Sequence, residues 1–127
     1  TTVGAALDIL NGSADYILNA RKAAEAMLRS ELELHKFMRG FEKNRIALKA
    51  ICSALTDDFR DALAVRMGAD RGYDSGDVRV ILAKKYTPGQ LIRLGDIAEQ
   101  AVKDCDTNMG GVLFTADLCA RLCFAVE

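Results

Sequence analysis

The sequence predicts an all-α, single-domain helical bundle of about six helices with one long N-terminal spine helix, and three observations predict it. Ala, Leu, Arg, Glu and Lys, which keep rotamer freedom in helices, are plentiful, while aromatic residues make up only 6%. Apolar residues recur at three- and four-residue spacing along most of the chain. There is one proline, and no second β-branched run could pair with residues 78–82. At 127 residues the chain fits one domain, residues 1–127, able to fold without disulfides or metal.

Residues 2–10 read as a short helix, broken by Asn11 and Gly12, with Ser13 as the cap of the next. The strongest periodicity follows. Ile17, Ala20, Ala24, Met27, Leu34, Met38 and Phe41 share one face, with Glu31 in one slot, and predict a spine helix over 14–39. Gly40 ends or bends it. Ile46, Ala47, Ala50, Ile51, Ala54 and Leu55 mark a further helix, and Thr56 reads as the cap of another, with Asp57 and Asp58 in its first turn. Residues 68–77, with three Gly and three Asp, form the longest loop.

Asp74 or Ser75 reads as the cap of residues 76–86. That segment alternates like a strand over 78–82, but without a partner strand it reads as a short helix. Thr87, Pro88 and Gln90 give a helix start: a cap, a proline where no amide partner is needed, and capping-box spacing. Pro88 also stops the preceding helix by Tyr86. Leu91, Leu94, Ile97, Ala98, Ala101 and Val102 then face the core. After a turn over 106–111, Leu113, Phe114, Leu118, Leu122 and Phe124 give the last helix its apolar content.

Composition weighs against several function classes. A net charge of −1 lacks the basic excess of a dedicated nucleic-acid binder. No apolar run reaches the ~20 residues of a membrane span, and no signal-peptide pattern is present. The chain opens at Thr1 rather than Met, as an excised domain or a processed product would. Cys52, Cys105, Cys119 and Cys123 lie in apolar helical surroundings and read as reduced core thiols in a cytoplasmic protein. The Asn11–Gly12–Ser13 sequon reads as a turn and cap rather than a glycosylation site.

No catalytic or metal constellation emerges. His35 is the only histidine and has no flanking motif to make it a base for a cysteine nucleophile. Cys119 and Cys123 could share a helix face, but paired zinc-ligand spacing is missing. Asp70, Asp74 and Asp77 lack the alternating spacing and distal Glu of a calcium loop. A helix-turn-helix around Tyr86–Thr87 has too short a turn and an acidic second helix.

The function expected is therefore a non-catalytic, cofactor-free helical module that binds a protein partner or further copies of itself: an adaptor, a regulatory subunit or a self-assembly domain. Its expected docking seam is Ile17, Ala24, Met27, Glu31, Leu34, Met38 and Phe41. The second expectation is phosphate-backbone binding to nucleic acid. It rests on Lys22, Arg29, Lys36 and Lys43, seven residues apart on the opposite face, with Arg39 nearby.

Overall fold

The computed structural model describes the backbone of residues 2–107 and 110–126, and side chains from residue 16 onward. It is all-helical. In chain order the helices are α1 (Thr2–Arg29), α2 (Glu31–Arg39), α3 (Arg45–Arg66), α4 (Val78–Lys85), α5 (Pro88–Asp104) and α6 (Gly111–Phe124). No strand occurs among the described residues.

The expected spine over 14–39 is two helices. Ser30 leaves helical geometry (φ −172°, ψ 162°), and its hydroxyl accepts a hydrogen bond from the Glu33 amide, capping α2. Arg29 closes α1 and Glu31 and Glu33 open α2, each charge suiting its helix end. At the other end, α1 runs through 11–13, where a break was expected; the Ser13 side chain lies outside the described residues.

Asn44, after the turn at Gly40, caps α3 by accepting from the Ala47 amide. Thr56 begins no new helix. It sits inside α3, is buried, and its hydroxyl donates to the Cys52 carbonyl one turn back. The two helices expected there are thus one. Gly68 takes φ +99° as the chain leaves α3. Asp77, rather than Asp74 or Ser75, caps α4, and residues 78–82 are helical as expected. The start of α5 follows the expectation in full: Thr87 accepts from the Gln90 amide, and the Gln90 side chain accepts from the Thr87 amide.

Helix α3 is the hub, packed against α1, α4 and α5, while α2 leans on α1, and α6 on α2 and α5. The core is built from Leu48, Ile51, Leu55 and Phe59 of α3, Leu34 and Met38 of α2, Leu82 of α4, Leu91 and Leu94 of α5, and Leu122 of α6. Each such side chain contributes roughly 1.5–3 kcal/mol by leaving water. Ala20, Ala23, Ala24 and Ala26 keep the inner side of α1 small. Arg45 donates to the carbonyls of Cys105 and Thr107, and Lys49 pairs with Asp106 at 2.9 Å, fastening the start of α3 to the end of α5. Helix α6 enters beside the α2–α3 turn. A Cβ on Gly111 would fall 1.7 Å from the Glu42 carbonyl oxygen, so only glycine admits this approach.

Candidate interaction surface

Helix α6 is apolar on both sides. Its inner side buries Phe114, Thr115, Leu118, Cys119 and Leu122. Its outer side carries Leu113, Ala116, Ala120 and Phe124 at steps of three, four and four, which keeps them in one stripe. These side chains are exposed, Leu113 to 62% and Phe124 to 76%, and Val112 beside them to 65%. The only charges on the helix are Asp117 and Arg121, paired with each other at 3.0 Å along one edge of the stripe. Past Phe124 the stripe opens into a shallow groove of about 510 Å³, with Ile97 and Ala125 in its wall and Arg93, Asp96 and Arg121 at its rim. A surface helix ordinarily turns a polar face to water. This one turns a second apolar face, and such patches mark contact sites.

The sequence groups Leu113 and Phe124 with Phe114, Leu118 and Leu122 as the apolar content of this helix, but the two lie outside the core. The α6 periodicity supports either of two apolar faces, and packing against α2 and α5 selects the one through Leu118 and Leu122.

The seam expected to dock a partner does not come together on the surface. Ala24, Met27, Leu34 and Met38 are in the core. Phe41 is half-buried, its ring 5.5 Å from that of Phe37. Ile17 is 47% exposed on α1, and Glu31 is exposed in the first turn of α2. The break at Ser30 lets both helices turn their apolar faces inward, leaving no long uncovered seam.

The basic stripe is partly gathered by the same break. Lys22, Arg29 and Lys36 line one open cleft of about 530 Å³, interleaved with Glu25 and Glu33. Arg39 is exposed and lies 3.9 Å from Glu42. Lys43 is exposed in the turn before α3, outside that cleft.

A charged cluster fixes α4 and the preceding loop to α3. Arg79 pairs with Asp77 at 2.7 Å and Asp61 at 3.6 Å, and its guanidinium lies 3.5 Å from the Tyr73 ring centre. The hydrogen bond from Arg79 holds the Asp77 carboxyl down at about 2. Asp58 is buried, and loss of water raises its carboxyl to about 6 against the pull of Arg21 and Arg79. Its Oδ2 and the Nε of Arg21 have no hydrogen-bond partner in the structure.

The thiols are interior. Cys52, Cys105 and Cys119 are buried and Cys123 half-buried, all unbridged. The Cys52 thiol is pushed up by its hydrogen bond to Cys105 and by burial, and Cys105 is correspondingly lowered. Burial lifts Cys119 to about 12. Among the described residues, no three His, Cys, Asp or Glu side chains are placed to share a metal ion. No described helix is long and apolar enough to cross a membrane.

Comparison with protein-family models, with curated proteins and with solved structures finds no match to this chain.

Proposed function

We infer that this chain is a non-catalytic helical interaction module whose docking surface is the outer face of α6. One observation carries the reading: Leu113, Ala116, Ala120 and Phe124 form an exposed apolar stripe opposite the helix's buried face. Leaving Leu113 and Phe124 in water forgoes roughly 1.5–3 kcal/mol for each, which a partner would recover. Exposed aromatics of this kind are the residues that dominate contact energies. A cytoplasmic setting fits the four unbridged cysteines, three of them buried.

A photo-crosslinking side chain placed at Leu113 in the full chain, expressed in its native cells, tests the reading. Discrete covalent protein adducts are expected, lost when Phe124→Glu is added, and not formed from a control position at exposed Ile46. Equal labelling from both positions, or adducts indifferent to Phe124→Glu, would sink it.

The convergence of Lys22, Arg29 and Lys36 supports a second reading, contact with a phosphate backbone. Glu25 and Glu33 in the same cleft offset much of that charge, which is why the α6 surface is preferred.

A further inference from the structure

We propose that the occupant of the α6 face is a second copy of this chain, packed antiparallel across a two-fold axis that passes between Ala116 and Ala120. This rests on the assignment of that face as the docking surface, and it deepens that assignment by naming the partner.

The stripe is self-complementary in shape. Its centre is two alanines one turn apart, which let two helix axes approach closely, and its ends are bulky, Val112 and Leu113 at one and Phe124 at the other. Antiparallel pairing about the midpoint sets Ala116 against Ala120 of the other copy. It also sets Val112 opposite Phe124, so each bulky end meets the opposite end of its counterpart. A two-fold contact requires this kind of patch, one that matches itself when reversed.

It is also self-complementary in charge. Asp117 and Arg121 lie along the same edge of the stripe. A two-fold axis across the helices keeps that edge facing the same edge of the other copy. At 1.5 Å per residue, Asp117 of each copy then lies about 3 Å along the axis from Arg121 of the other. The order along the joint edge is Arg, Asp, Asp, Arg, so each carboxylate has the other copy's guanidinium on one side and the other copy's carboxylate on the other, while keeping the pairing with its own Arg121. A parallel two-fold pairing would instead carry the two charged edges to opposite sides of the contact, where neither Asp117 meets the other copy's Arg121. The remaining exposed positions of the stripe carry no charge that would oppose the contact.

One 14-residue helix per copy is a small contact, below the ~1,200 Å² of a standard interface. A contact of this size is expected to be reversible.

Sedimentation velocity of the purified chain over about 1–500 µM should show a monomer–dimer equilibrium. Ala120→Glu should weaken it at least tenfold while leaving the circular dichroism unchanged. The charge edge gives a sharper measurement, independent of stability. Asp117→Arg and Arg121→Asp should each abolish self-association, and an equimolar mixture of the two should restore a dimer. A wild-type chain that stays monomeric throughout overturns the proposal, as does a dimer that survives Ala120→Glu, or a mixture that stays monomeric. A monomer that still gives specific Leu113 adducts with another protein would overturn the second copy as occupant while upholding the α6 face. Failure of both measurements would remove the face itself.

Discussion

Asp58 shows how burial at a single residue sets a stability cost. Its carboxyl is moved from the ordinary 3.8 to about 6, because it is nearly dry and Oδ2 lacks a donor. The folded chain therefore holds this proton in the window between about pH 4 and pH 6, where the unfolded chain has released it. Stability from this group is complete below the unfolded value and is lost as pH rises through about 6. The shift corresponds to roughly 3 kcal/mol at neutral pH. Asp77 has the opposite sign: held at about 2, it stabilises above its ordinary value and loses this as pH falls toward 2. Asp58→Asn should thus flatten the decline in stability between pH 4 and 6 and raise stability at pH 7 by up to ~3 kcal/mol, read from urea unfolding at pH 5 and pH 7. A variant less stable than wild type at pH 7, with the slope intact, would mean that Arg21 and Arg79 outweigh the burial.

Among the helices, the start of α5 was legible because its signal is local and unopposed. Thr87, Pro88 and Gln90 act within four residues of one another, and the capping box forms as read. Ser30 and Glu33 have the same spacing, and the structure uses Ser30 as a cap, yet the strong periodicity from Ile17 to Phe41 obscures it. Both halves keep an inward apolar face, so periodicity alone does not reveal the break. Ser30→Ala should cost about 1 kcal/mol, measured as a lowered urea midpoint with an unchanged slope. A midpoint equal to wild type would show that packing of Leu34 and Met38, not the cap, fixes where α2 begins. Thr56 gives the converse: a hydroxyl and two following aspartates resemble a helix start, but the hydroxyl is buried and bonds back to Cys52.

For the whole molecule, the break at Ser30 decides which functional readings remain. Two shorter helices fold their seams onto α3 and α6, so the most periodic stretch of the chain supplies core instead of surface. The same break collects Lys22, Arg29 and Lys36 into one cleft. If that cleft meets nucleic acid, affinity should fall steeply with salt, with a log–log slope near −3 on double-stranded DNA that Lys22→Glu with Lys36→Glu removes. Fluorescence anisotropy with generic DNA across a salt series reads this directly, and a flat or undetectable response leaves the α6 face as the sole reading.

By itself, the sequence determined the helical class, the α5 start, the glycine- and aspartate-rich loop before α4, and the interior character of the cysteines. Each depends on residue type or on neighbours a few positions away. Only the tertiary structure decided that Leu118 and Leu122 go inward while Leu113 and Phe124 remain outside, and that Met27 and Met38 are core. Periodicity gives the angle between two side chains around one helix axis. Which angle meets another helix is fixed by what packs beside it, here α2 and α5 against α6, and on α6, where both faces are apolar, nothing local distinguishes them.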